Sequence, residues 1–249
     1  MLVLVQAPVA TAWLCREEKR NALGAPVLAS IEEAFLFLHT RFDIDVVVLA
    51  GRGKSFSAGA EVATGGFAPG DPDATGPSSQ RERRHAAMLG SRVIRAIMEC
   101  EAVTIARVQG HAIGGGFGLM QACDLRIVME DALLFFPEVD LGSGPVPWGL
   151  TPMLARDIGL PKAKELIMLC DAIEASEALG LGLINKVVAT EAELDEAVDD
   201  YAYRLAAKPQ GALHGTKLMF RALEDGPAVS SGNLTGLEPD LNGGAHSRL

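Results

Sequence analysis

Three short stretches hold residue types whose spacing suits chemistry at a polarised carbonyl. Glu138 follows Pro137 at the end of the apolar run Leu133, Leu134, Phe135, Phe136. A carboxyl with such an apolar approach keeps its proton above the usual range through desolvation and can exchange it with a substrate. Taken by itself, a glutamate at a strand end is more often a solvated surface group. Glycines 114, 115 and 116 separate a β-branched run at 103–108 from a helix-compatible run at 117–123. Glycine lets backbone approach a ligand closely, and the first N–H groups of the following helix have no partner inside it, which suits an anionic oxygen. An isolated Gly-rich turn more often only packs a helix against a sheet. Residues 55–61, Ser-Phe-Ser-Ala-Gly-Ala-Glu, form a third stretch of small residues whose N–H groups can face a ligand. Two backbone donors from different elements can converge on one oxygen, as acyl chemistry requires when a carbonyl develops negative charge.

Other chemistries fail on spacing. Gly53-Lys54-Ser55 ends like a phosphate-binding loop, but Val48 stands where that pattern needs glycine. Gly51-x-Gly53 is followed by Phe56, and Gly114-x-Gly116 by Leu119, so neither completes a dinucleotide fingerprint. Ser57 lacks the first glycine of a nucleophile elbow. The five histidines (39, 85, 111, 214 and 246) show no metal or triad spacing, and His111, beside the glycines, reads as structural. No metal site is expected. The four cysteines (15, 100, 123 and 170) form no CxxC pair and read as reduced, mostly buried thiols.

The elements that must position these stretches follow from periodicity. Residues 1–14 read as one or two strands, 16–21 as a charged turn, and Pro26 opens a helix with Ile31, Ala34, Phe35 and Leu38 on one face. Residues 45–50 read as a buried strand, and 81–99 as an amphipathic helix with Met88, Val93, Ile94, Ile97 and Met98 inward. Between them, residues 65–80 are rich in Gly, Pro, Asp, Ser and Thr, a surface loop placed to act as a lid or a tolerated insertion. Strands at 125–129 and 133–136 follow, then helical patterns at 150–159, 161–169, 176–181 and 191–207, the last with Thr190 as cap. From Asp225 onward, Gly, Ser, Pro and Asn indicate a poorly ordered tail.

The whole chain of 249 residues, 49% hydrophobic, is long enough for a substantial core. With 22 basic and 32 acidic residues its net charge is −10, which disfavours nucleic acid or an anionic membrane as partner. The N-terminal run alternates like a strand and lacks a basic leader, and no 18-residue apolar stretch is present. A soluble, cytoplasmic α/β protein is expected, with an α-helical C-terminal region.

The motifs together resemble the crotonase superfamily, the enoyl-CoA hydratase and isomerase group. The resemblance rests on KSFSAGAEV at 54–62, QGHAIGGGFGLMQACDLRIV at 109–128, FPEVDLG at 136–142 and DAIEASEALGLGLINKVV at 171–188, and extends over about residues 3–222. It implies a superhelix of ββα repeats over residues 1–190, carrying the CoA and oxyanion sites, and a C-terminal helical region with a flexible tail over 191–249. It also implies trimers or dimers of trimers, and an acyl-CoA substrate with no cofactor beyond its CoA moiety. The thioester oxygen would be held by the N–H groups of Ala60 and Gly115. The substrate-binding positions would include Ala58, Glu61, Val62, Gly114 and Val146, with Lys19, Arg20 and Lys54 facing the phosphates. Hydratases of this group use two glutamates, and Gly118 stands where the first would be, leaving Glu138. One carboxylate suits migration of a double bond, with hydration or lyase chemistry, and non-catalytic acyl-CoA binding, as the alternatives. Val146 replaces a usual glycine, and the sequence ends at Leu249, before a helix that many members carry.

Overall fold

The computed structural model describes residues 1–61, 80–142 and 148–224, except for the side chains of 80–87. Val62, Val146, the bulk of the expected lid at 65–80 and the tail from Asp225 lie outside the described residues. The chain divides into two compact units, Met1–Ala207 and Lys208–Leu249.

The first unit opens with the hairpin β1 (Leu2–Gln6) and β2 (Val9–Leu14), a single 3-10 turn at Glu17–Lys19, and α1 (Ala25–His39). Pro26 sits in the first turn of α1, where its missing N–H costs nothing, and Leu28, Ile31, Phe35 and Leu38 line its buried face. From there the chain repeats a two-strand unit. β3 (Val46–Gly51) and β4 (Ser55–Ser57) precede α2 (Gln80–Met98). β5 (Val103–Val108) and β6 (His111–Ile113) precede α3 (Gly115–Gln121), and β7 (Leu125–Met129) precedes β8 (Leu133–Phe135).

Within each unit the first strand joins one sheet and the second joins another. The six-stranded sheet runs β1-β2-β3-β5-β7-β10, where β10 is Lys186–Val188, and the four-stranded sheet runs β4-β6-β8-β9, where β9 is Ile173–Glu174. Among the described residues only the pairs β1–β2 and β8–β9 are antiparallel. β3 and β5 are buried at every position, which is why they read as continuous apolar runs.

The pleat divides these strands between two cores. Val47, Leu49, Ala106, Val108 and Val128 face the main core with α1, α2 and α3. Val46, Val48, Ile105, Ile127 and Val188 face a second core completed by Leu194, Ala197, Val198 and Ala202 of α7 (Glu191–Ala206). The helix expected to open the C-terminal region from residue 191 therefore packs on the sheet, and the body runs to Ala207. Thr190 caps α7 as its sequence indicates, accepting from the Glu193 N–H at 3.2 Å. α4 (Leu150–Ile158), α5 (Leu160–Leu169) and α6 (Ala175–Gly180) complete this unit.

Two readings change. Met88 is 64% exposed, and the inward face of α2 is Leu89, Val93, Ile94 and Ile97 instead. β9 and β10 fall in the gaps between the helical patterns at 161–169, 176–181 and 191–207, where no strand is expected; at two and three residues they are too short to show alternation. In the second unit, α8 (Gln210–Glu224) leaves Leu218, Met219, Phe220 and Leu223 exposed.

Candidate active site

β4, β6 and β8 lie side by side and parallel, so their carboxyl ends open on one edge of the small sheet. Ala60 lies three residues beyond β4, Gly115 two beyond β6 and Glu138 three beyond β8. Neighbouring strands run about 4.8 Å apart, which brings the three expected centres of chemistry into one row.

The backbone around Ala60 is aimed by hydrogen bonds. The Leu23 N–H donates to Gly59 O at 2.8 Å and the Glu61 N–H to Leu23 O at 3.4 Å, a one-residue parallel bridge between Leu23 and Ala60. Such a bridge uses the groups on either side of residue 60, so the Ala60 N–H points away from Leu23. Gly59, at φ +79°, lies against the Ile113 carbonyl, and a Cβ on it would also reach 3.4 Å from the Gly115 nitrogen. Gly114, at φ 50° and ψ −115°, caps α3 in a conformation closed to most L residues, while its own N–H donates to Phe135 O at 2.9 Å. The Gly115 N–H then stands in the first turn of a helix, among the donors that the helix itself leaves over.

Glu138 is half-buried, and burial pushes its carboxyl above the ordinary carboxylate range, against a smaller opposing effect of a backbone hydrogen bond. A Cβ on Gly114 would sit 2.6 Å from Glu138 Oε1, so the carboxyl rests against the backbone one residue before Gly115.

The loop before α1 braces this edge, and here residues without an earlier assignment matter. Asn21, 1% exposed and at φ 54°, donates through Nδ2 to Arg52 O and Ser55 O, both at 2.9 Å, and accepts from the Arg16 N–H at 2.9 Å. Ser57 Oγ donates to Asn21 O at 2.8 Å and accepts from the Gly59 N–H at 3.2 Å. Asparagine at the end of a charged turn is a common left-handed residue, the one sequence signal for this brace. Ala58 N–H donates to Arg20 O at 2.8 Å, and Lys19 and Arg20 are exposed on the same turn. Glu61 turns to Arg16 (3.2 Å), and that guanidinium holds its carboxyl below the ordinary range. Lys54 is exposed, and His111 Nδ1 accepts from the Leu133 N–H at 3.2 Å, a structural role. Trp148, 5% exposed at φ 67°, lays its indole against both Gly90 and Gly115, so neither position has room for a side chain. Among the described residues no group of side chains could hold a metal ion, and no helix is long and apolar enough to cross a membrane.

Residues 5–229 match the family model described as enoyl-CoA hydratase/isomerase. The chain belongs to that family. It is 34% identical over 236 residues, 94% of this chain and 85% of the relative, to a crotonyl-CoA hydratase of Syntrophomonas wolfei. It is 33% identical over 211 residues, 82% of this chain and 74% of the relative, to the peroxisomal Delta(3,5)-Delta(2,4)-dienoyl-CoA isomerase of Arabidopsis thaliana. Its fold is similar to the crystal structure of an enoyl-CoA hydratase from Mycobacterium avium subsp. paratuberculosis, with TM-score 0.78 and 27% identity over 90% of this chain and 85% of that one. The ββα units and C-terminal helices are the crotonase-like fold, and the chain is an acyl-CoA enzyme of this hydratase/isomerase group.

Proposed function

We propose that the protein is an enoyl-CoA isomerase in which Glu138 is the single acid/base and the N–H groups of Ala60 and Gly115 hold the thioester oxygen. The observation that carries this reading is Glu138 at the exit of β8, held above the ordinary carboxylate range by burial, while position 118 is glycine. The Glu138 carboxylate takes a proton from C2 of a 3-enoyl thioester. The C2–H electron pair moves into the C1–C2 bond and the carbonyl pair onto oxygen, giving a dienolate. Two preorganised donors on that oxygen lower the barrier by about 3–4 kcal/mol each in a water-poor site. Glu138 then returns its proton to C4, the C3–C4 double bond becomes C2–C3, and the thioester carbonyl re-forms. No atom is gained or lost, so the reaction calls for no cofactor beyond the CoA carried by the substrate.

Lys19 and Arg20 are assigned to the CoA phosphates, supported by their exposure and by the hydrogen bond that ties their turn to Ala58. Ala58, Glu61, Val62, Gly114 and Val146 complete the proposed substrate contacts. A soluble cytoplasmic enzyme assembling as a trimer or dimer of trimers goes with this reading, and the exposed apolar residues of α8 supply a surface suited to assembly.

The test is incubation with 3-enoyl-CoA, following the conjugated 2-enoyl thioester by its ultraviolet absorbance. The reading expects conversion that Glu138→Gln removes, and normal turnover by that variant defeats it. A second reading, hydration of 2-enoyl-CoA, is favoured by the likeness to the crotonyl-CoA hydratase. Substantial formation of 3-hydroxyacyl-CoA would select it.

A further inference from the structure

Position 118 lies one turn into α3 from Gly114, the cap residue that Glu138 touches. The Gly118 N–H donates to Gly114 O at 3.0 Å, so the two residues are one helical turn apart, and Gly114 is the residue against which Glu138 Oε1 rests. Side chains of a helix lean toward its N-terminus, so a side chain at 118 would project back over Gly114 toward the Glu138 carboxyl. That space is filled. A Cβ built on Gly118 meets Leu150 Cδ1 at 2.5 Å, Cδ2 at 2.7 Å and Cγ at 3.2 Å. Leu150, the first residue of α4, has no exposed surface. Two residues earlier, Trp148 covers Gly115 on the same helix in the same way.

We infer that Leu150 is a specificity-determining residue, whose isobutyl group occupies the place of a second carboxylate and its water and so confines the site to proton transfer by Glu138. This rests on the isomerase reading above. Hydration requires a water molecule held at C3. Its oxygen bonds to C3, one of its protons passes to a base, and an acid delivers a proton to C2. A hydrocarbon in van der Waals contact with Gly118 can neither accept the water proton nor orient the water. Gly118 and Leu150 thus fit each other, and a glutamate placed at 118 alone has no room.

The test has a structural and a chemical arm. In the first, thermal unfolding is measured for Gly118→Ala, Leu150→Ala and the double variant. The added methyl presses on Leu150, so Gly118→Ala alone lowers Tm by roughly 3–8 °C, and the same methyl costs little once Leu150 is shortened. In the second, wild type, Gly118→Glu, Leu150→Ala and Gly118→Glu/Leu150→Ala are given 2-enoyl-CoA in ¹⁸O-labelled water, and labelled 3-hydroxyacyl-CoA is measured beside double-bond migration. The double glutamate variant is expected to raise hydration relative to migration by about a hundredfold or more, the low end for a positioned acid/base group, and Gly118→Glu alone is not. Additive Tm changes in the alanine cycle overturn the inference, as does a folded double glutamate variant with wild-type hydration. If that variant does not fold, the alanine cycle decides. Rapid hydration by the wild type overturns both this inference and the isomerase reading. A wild type that moves no double bond, with coupled Tm changes and hydration gained in the double variant, overturns the isomerase reading alone.

Discussion

Replacing Glu138 by Gln keeps the shape of the side chain and removes its ability to carry a proton. In the proposed reaction the same carboxyl takes the C2 proton and delivers the C4 proton, so both chemical steps lose their acid/base group. A positioned acid/base contributes about 10²–10⁴ in rate, which is roughly 2.7–5.4 kcal/mol at 1.36 kcal/mol per decade. Because one group serves both steps, the upper end is expected, near 10⁴, with KM little altered. Stability should move the other way. The folded-state pKa of Glu138 lies above the unfolded one, so the stability associated with its protonated form is present below the unfolded pKa of about 4.3 and is lost as pH rises through the folded value. At pH 7–8 the glutamine variant should therefore unfold at or above the wild-type temperature, and the difference should narrow in acid. Turnover is read from the absorbance of the conjugated thioester and from exchange of the C2 proton in deuterated water, and stability from thermal unfolding at several pH values. A variant within tenfold of wild-type exchange would refute Glu138 as the base. One that loses activity together with several degrees of Tm at pH 8 would refute the assignment of its raised pKa to burial.

The remaining predictions concern the frame. Asn21→Ala removes three hydrogen bonds to main-chain groups, worth together about 3 kcal/mol; urea unfolding should show a loss of that size. Ser57→Ala frees the Gly59 N–H and the Asn21 carbonyl from their shared hydroxyl, and kcat should fall by roughly tenfold with little change in KM, the cost of a loosened donor loop. Gly114→Ala places a methyl against Glu138 Oε1 and an L residue at φ 50°, so stability should drop by about 1–3 kcal/mol with turnover reduced, as measured by unfolding and steady-state kinetics. Glu61, whose carboxyl is held low by Arg16, contributes stability that is present above the ordinary carboxylate pKa and lost as pH falls through its lowered folded value. Unfolding curves between pH 6 and 3 should fall more steeply for wild type than for Glu61→Gln.

The parts of this molecule that were legible in the sequence are those with a local signature. β3 and β5 announce themselves as β-branched runs buried on both faces, α1 by Pro26 and its inward spacing, and the exit of β6 by three glycines. Glu138 stands out because an apolar strand leads into it. What escaped depends on partners distant in the chain. Nothing beside Asn21 says that its amide will meet residues 52 and 55, and nothing beside Leu150 says that it will fill the space over Gly118. Met88 was misplaced because several rotations of an amphipathic helix satisfy its pattern, and only the packing of α2 against the main core selects one.

The placement of residues 60, 115 and 138 beyond three adjacent parallel strands has a consequence for how such a protein can change. Their separations are measured by a ruler of main-chain hydrogen bonds across β4, β6 and β8, and the return path from one strand to the next does not enter that measurement. A segment inserted between these strands can change while residues 60, 115 and 138, the proposed donors and base, keep their spacing. In the proposed site, the spacing of the reacting groups is therefore set apart from the segments that join the strands.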